Sequence, residues 1–184
     1  MGPAPASAAP TTRIHGTLVS VAGTGVLLLG RSGIGKSECA VELVVRGYRL
    51  VADDVVLIGK GPDGEPLGQS PELIRHYVEL RGIGIVHVPS LFGPEAVADS
   101  CRVDLVVRLE SWGSGDVERT GLEQQSYRVG EFELPCVQLP VAPGRNVATL
   151  IDVAARNFRL RTQGPSGADL LDDRVTRSLR GRTG

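Results

Sequence analysis

Apolar residues alternate or cluster in short blocks along most of this chain, and helical spacing appears in few places. The block Ile14 to Val21 reads as a strand, the chain turns at Gly23-Thr24-Gly25, and Val26 to Leu29 forms a second, fully apolar strand. From Lys36 to Arg46 the period changes: Ala40, Leu43, Val44 and Gly47 share one face, which predicts an amphipathic helix. Tyr48 to Ile58 is rich in Val, Leu and Ile, is broken only by Asp53-Asp54, and predicts a strand ending at the turn-prone run Gly59 to Gly64. Strands over Arg102 to Leu109 and Glu133 to Val141 flank a polar stretch from Trp112 to Ser126. After Pro143-Gly144, helical spacing returns at Val147, Leu150, Ile151, Ala154 and Phe158, predicting a helix from Asn146 to Leu160. Ser166-Gly167-Ala168-Asp169 has the S-x-x-D form of a capping box, and Leu170, Leu171, Val175 and Leu179 give a last short helix a partial apolar face.

This order of elements predicts an α/β fold: one domain with a mixed β-sheet core and helices at the C-terminus. A chain of 184 residues suits one buried core rather than two. A net charge of −1 with 41% hydrophobic residues gives neither a nucleic-acid footprint nor the composition of a disordered chain. The 24 glycines are about twice the usual share and announce many turns. Pro3, Pro5 and Pro10 among small residues mark 1–12 as a disordered tail, leaving 13–184 as the domain. That tail has no basic leader and apolar core of a secretory signal, and no run approaches the ~20 apolar residues of a membrane span. The expectation is a cytoplasmic protein with no membrane or nucleic-acid partner. Cys39, Cys101 and Cys136 are too scattered for paired zinc ligands or a disulfide framework, and read as buried small hydrophobes.

Chemistry enters at Gly30-Arg31-Ser32-Gly33-Ile34-Gly35-Lys36-Ser37, a complete G-x-x-x-x-G-K-[ST] phosphate-binding loop between a strand and a helix, as the motif requires. Its glycines let backbone N–H groups approach phosphate oxygens, Lys36 reaches the terminal phosphates, Ser37 offers a hydroxyl to Mg²⁺, and the helix directs its positive end at the anion. The loop predicts binding of a nucleoside triphosphate with Mg²⁺. Two adjacent acids in a buried strand are costly unless a cation or strong donor stands beside them, which places Asp53 and Asp54 near the metal and phosphates. A further cluster, Glu79-Leu80-Arg81-Gly82-Ile83-Gly84-Ile85, combines paired charges and glycines that no core strand needs.

That cluster resembles the E-[IL]-R-G-[LI]-G-I signature of the bacterial HPr kinase/phosphorylases. Gly33 to Glu38 continuing to Glu42-Leu43, Arg46 to Asp54, Pro143-Gly144-Arg145-Asn146 and Ala154 to Leu160 follow in the family's order, so the likeness covers most of the chain. The resemblance implies a P-loop kinase domain that phosphorylates a serine of the phosphocarrier protein HPr from ATP or pyrophosphate. It also implies removal of that phosphate by phosphorolysis, releasing pyrophosphate. It implies that His15, Lys36, Asp54 and Arg128 are catalytic residues, that Ser37 and Glu79 are magnesium ligands, and that the assembly is a homohexamer. By the same resemblance Asp53, Arg81, Gly82 and Gly84 belong to catalytic segments, and Pro140, Pro143, Gly144 and Arg145 to a segment associated with dephosphorylation. Many members have arginine where this chain has Ala142. Fourteen residues precede His15, as in the short forms that resemble those of alphaproteobacteria, where the substrate is either HPr or a nitrogen-system HPr. A small-molecule kinase and a nucleotide-binding regulatory sensor are the competing readings. The chain has neither the N-K-x-D motif of GTPases nor the L-S-G-G-Q of transporter ATPases.

Overall fold

The computed structural model describes residues 11–111 and 125–164, together with 170, 171 and 174. The first apolar block is two strands rather than one: β1 (Thr12–His15) and β2 (Thr17–Val21) part at Gly16 and enter different sheets. β1 begins at Thr12, the last residue assigned to the tail from sequence. β3 (Thr24–Leu29) leads into the phosphate loop and α1 (Lys36–Val45). The expected strand over Tyr48 to Ile58 also divides, into β4 (Arg49–Ala52) and β5 (Val55–Lys60), with Asp53-Asp54 as the joint. Then come β6 (Pro66–Gln69), the hairpin β7 (Tyr77–Leu80) and β8 (Gly84–His87), and the short α2 (Val88–Phe92). The block near Arg102 splits into β9 (Ser100–Arg102) and β10 (Leu105–Ser111), and the described chain closes with β11 (Gln125–Val129), β12 (Phe132–Val141) and α3 (Val147–Gln163).

Six strands form the central sheet in the order β11-β12-β10-β3-β2-β4, and β1-β5-β6-β9 form a second. β3, β10 and β12 run parallel, whereas β2 pairs antiparallel with β3 on one side and β4 on the other. Both faces of the central sheet are covered, so β3 reads as an unbroken apolar run instead of an alternating one. Val26 and Leu28 pack beneath α1 and α3 with Leu43, Val44, Ile151 and Ala155, while Leu27 and Leu29 join Val56 and Ile58 of the second sheet and Val103 just after β9. Each fully buried large side chain of this kind contributes roughly 1.5–3 kcal/mol before entropy is counted.

α3 starts where its spacing predicts: Asn146 caps it by accepting from the Thr149 N–H at 2.8 Å, and its side chain also donates to Glu42 of α1 at 2.9 Å. α1 has no such cap. Its N-cap, Gly35, is left-handed at φ 103° and makes no side-chain hydrogen bond, leaving the first N–H groups of the helix to an anion. Leu170 and Leu171 are helical and exposed, while the capping box Ser166 to Asp169 and the positions Val175 and Leu179 lie outside the described residues. Among the described residues no helix is long and apolar enough to cross a membrane.

Candidate active site

The end of β3, the start of β2 and the end of β4 meet at one edge of the central sheet, because β2 runs against both neighbours: Thr17 pairs with Leu28, and Leu18 with Ala52. On that edge the chain crosses twice between the two sheets, once at Gly16 and once at Asp53-Asp54. The crossings are stitched by the Gly16 N–H donating to the Asp54 carbonyl at 3.1 Å. Gly16 has no room for a side chain, since a Cβ there would stand 2.8 Å from the Leu28 carbonyl oxygen. Two side-chain pairs then reach across the joint. Outward, His15 Nδ1 lies 3.1 Å from Asp54 Oδ1. Inward, the buried Thr17 hydroxyl donates to Asp53 Oδ1 at 2.6 Å.

The buried-acid argument from sequence therefore belongs to Asp53 and not to Asp54. Asp53 is 4% exposed, while the Asp54 side chain is 68% exposed and its backbone is left-handed at φ 65°. That backbone turn, unusual for a residue other than glycine, follows β4 and leaves one carboxylate buried and the other exposed on the same cleft. Burial pushes the Asp53 carboxyl above its ordinary range, and the hydrogen bonds from Thr17 and Ser37 oppose that shift. The Ser37 hydroxyl reaches both Asp53 oxygens, at 3.0 and 2.9 Å.

Lys36 is 7% exposed and donates to the carbonyls of Gly30 at 2.9 Å and Arg31 at 3.2 Å. Burial lowers its pKa, an effect opposed by the negative charges of Asp53, Asp54 and Glu38. The β7–β8 hairpin supplies the opposite wall. Its turn, Arg81-Gly82-Ile83, needs glycine at positions 82 and 84, where φ is 81° and 98°, and it lays Arg81 on the phosphate loop. A Cβ on Gly33 would stand 2.5 Å from the Arg81 guanidinium.

The cleft so formed is lined by His15, Thr17, Ser32, Gly33, Gly35, Lys36, Ser37, Glu38, Asp53, Asp54, Glu79 and Arg81. It offers about 170 Å³, small beside the ~300–1,000 Å³ of pockets that engulf a whole ligand, and its polar walls suit phosphates better than a base. Gly30, Arg31 and Ile34 complete the loop without lining the cleft, and Gly82 and Gly84 shape the hairpin behind it. Arg128 is elsewhere: on edge strand β11 it pairs with Glu133 near the start of β12, at the far end from the phosphate loop, and its Nε donates to the Gly130 carbonyl. Pro140 lies within the last residues of β12, and Pro143, Gly144 and Arg145 follow its end, on the loop's side of the sheet but outside the cleft lining. Sequence reasoning did not single out Thr17 or give Glu38 a place here. No local pattern marks a strand threonine, whose partner is 36 residues away.

An uncapped helix start, a buried lysine and a hydroxyl–carboxylate pair at the end of a parallel strand define a phosphate-loop domain of the α/β class. The family model for the HPr serine kinase C-terminal domain matches residues 6–175, and the chain belongs to that family. It is 51% identical over 162 residues to the HPr kinase/phosphorylase of Bacillus pumilus, covering 88% of this chain and 52% of that protein. With the HPr kinase/phosphorylase of Geobacter sulfurreducens it shares 47% identity over 156 residues, 84% of this chain and 49% of the relative. The chain thus spans about half the length of the curated relatives it matches. The solved structure of the HPr(Ser) kinase/phosphatase from Coxiella burnetii superposes with a TM-score of 0.77 at 32% identity, covering 83% of this chain and 93% of that one.

Proposed function

We propose that this chain is a serine protein kinase that moves the γ-phosphoryl group of ATP to a serine of the phosphocarrier protein HPr, and returns that group to orthophosphate in the reverse direction. One observation carries the reading: a phosphate loop with a buried lysine faces an exposed carboxylate, Asp54, held by His15 at the mouth of the same cleft. A pure sensor needs the loop but not the exposed acid. The names of the relatives supply HPr as the substrate class.

Phosphoryl transfer has a loose transition state, so positioning and cations do most of the work. Lys36 is held at the loop, and Arg81 reaches it from the hairpin; the proposal gives the second positive charge to Arg81, because Arg128 stands at the far end of β12. Mg²⁺, when bound, would neutralise charge developing on the phosphates. The donors fit a hard cation: the Ser37 hydroxyl with Asp53 behind it and Glu79 on the opposite wall are all oxygens. Among the described residues no cluster of three acidic, histidine or cysteine side chains closes on one point. An ion on the Ser37 and Glu79 oxygens would complete its shell with substrate phosphates.

In the forward direction Asp54 accepts the proton of the serine hydroxyl as its oxygen bonds to phosphorus and ADP departs. In reverse, an orthophosphate oxygen attacks the phosphoserine phosphorus, pyrophosphate forms, and protonated Asp54 returns the proton to the leaving serine oxygen. His15 orients Asp54 in both. A homo-oligomer, hexameric in the manner of the family, is also part of this proposal, supported by the exposed Ile83, Ile85 and Leu91; light scattering measures its mass. Intact-mass spectrometry of HPr incubated with ATP, Mg²⁺ and the chain tests the activity: one added phosphate on serine with the parent and none with Lys36→Ala is expected. An unmodified HPr beside folded, ATP-binding parent would overturn it.

A further inference from the structure

We infer that Thr17 is a positioning residue for the metal end of this site, fixing the Asp53 carboxylate so that it draws the Ser37 proton and leaves the Ser37 oxygen facing the phosphates. The inference rests on the kinase reading above. Three side chains form an ordered relay. Thr17 Oγ1 donates to Asp53 Oδ1 at 2.6 Å, and Ser37 Oγ donates to the same carboxylate at 3.0 and 2.9 Å. Thr17 is 0% exposed and Asp53 4%, so the bond between them is buried, while Ser37 stands partly exposed at the cleft wall.

Stability alone does not explain the pair. Thr17 opens a strand whose next two residues, Leu18 and Val19, are apolar and fully buried, and valine has the shape of threonine there. Burying a hydroxyl against a carboxylate costs desolvation of both, and apolar replacement of buried polar pairs is often neutral or stabilising. What the pair provides is direction. A threonine in a strand is stiff about χ1, so its hydroxyl points one way and pins one carboxylate oxygen. A hydroxyl that ligates a hard cation must send its proton elsewhere, and the pinned Asp53 is the acceptor that orients it. The geometry follows from the crossing at Gly16: the residue before it, His15, serves the outward acid, and the residue after it, Thr17, serves the inward one.

The test is Mn²⁺ binding, read by loss of the free-ion electron paramagnetic resonance signal, with the full chain and a non-hydrolysable ATP analogue present. Thr17→Val should weaken Mn²⁺ binding about tenfold, as loss of an outer partner of a metal ligand does, while analogue affinity without metal stays at the parent's level. Thr17→Ser should restore most of the loss. In an Asp53→Asn background, Thr17→Val should add less than about twofold, because a residue acting through Asp53 has nothing left to act on. Thr17→Ala gives the same readout should the valine variant not fold. Mn²⁺ binding by Thr17→Val equal to the parent's, or an equal loss with and without Asp53→Asn, overturns the inference alone. A parent that binds no Mn²⁺ with the analogue overturns the kinase reading together with it.

Discussion

His15 Nδ1 and Asp54 Oδ1 stand 3.1 Å apart although neither lies in the core; their side chains are 53% and 68% exposed. Exposed pairs of this kind add little to stability, about 0–1 kcal/mol, so the pair's worth lies in aim. Without His15 the Asp54 carboxylate rotates freely at the cleft mouth. His15→Ala should slow HPr phosphorylation roughly 10–100-fold, the scale of a misplaced catalytic group, with nucleotide affinity unchanged. Initial rates beside a nucleotide titration check both halves of that statement.

Asp53→Asn should trade function for stability. Burial raises the folded pKa of Asp53 above its ordinary 3.8, so the unfolded chain releases this proton first as pH rises. Stability is therefore fullest below that ordinary value and falls as pH climbs through the raised one, and at neutral pH the ionised acid is a net cost. Asparagine removes the charge, and the metal-free fold should gain roughly 0.5–2 kcal/mol at neutral pH, less in acid, while Mn²⁺ binding weakens but stays measurable. Urea unfolding at two pH values reads the first effect. An equal change at both would contradict it.

Gly25→Ala should be among the most damaging substitutions outside the cleft. Its Cβ would stand 1.7 Å from the Arg102 carbonyl oxygen, a backbone atom that cannot swing aside. Gly25 also exchanges hydrogen bonds with Asp104, its N–H donating to Oδ2 at 2.8 Å and its carbonyl accepting from the Asp104 N–H at 2.8 Å. A loss of about 3 kcal/mol or more is expected on denaturant unfolding.

The cysteines should be inert in the native protein. Burial pushes the Cys39 thiol up to about 11 and the Cys101 thiol up to about 12, and raises that of Cys136 as well. At pH 8 all three stay protonated, so a thiol reagent should react slowly until guanidinium is added and then titrate three groups. The unfolded thiols ionise near 9.0, so these groups cost stability as pH rises from there towards 12.

The phosphate loop was legible because its chemistry is contiguous: strand, glycines, lysine, serine and helix follow one another in sequence. α1 and α3 were legible for a related reason, since helical spacing and the Asn146 cap are local. Nonlocal pairing hid the rest. Gly16 in an apolar run looks like any strand residue, yet there the chain leaves one sheet for the other, and that crossing divides the expected strand and pairs His15 with Asp54 and Thr17 with Asp53. The acid pair announced itself by its cost, but which acid is buried depends on the left-handed turn at Asp54. Arg128 came from family resemblance, and the β11–β12 register sets it away from the cleft of its own chain.

Whether one exposed carboxylate beside a phosphate loop serves both directions of phosphoryl transfer is decided by intact-mass spectrometry of two reactions run with parent and Asp54→Asn. The first contains HPr, ATP and Mg²⁺; the second contains phosphoserine-HPr, orthophosphate and Mg²⁺. The parent should add the phosphate in one and remove it in the other, and Asp54→Asn should slow both by roughly 10²–10⁴-fold, the usual contribution of a general acid–base group. An Asp54→Asn variant as fast as the parent in either direction would contradict this role for Asp54.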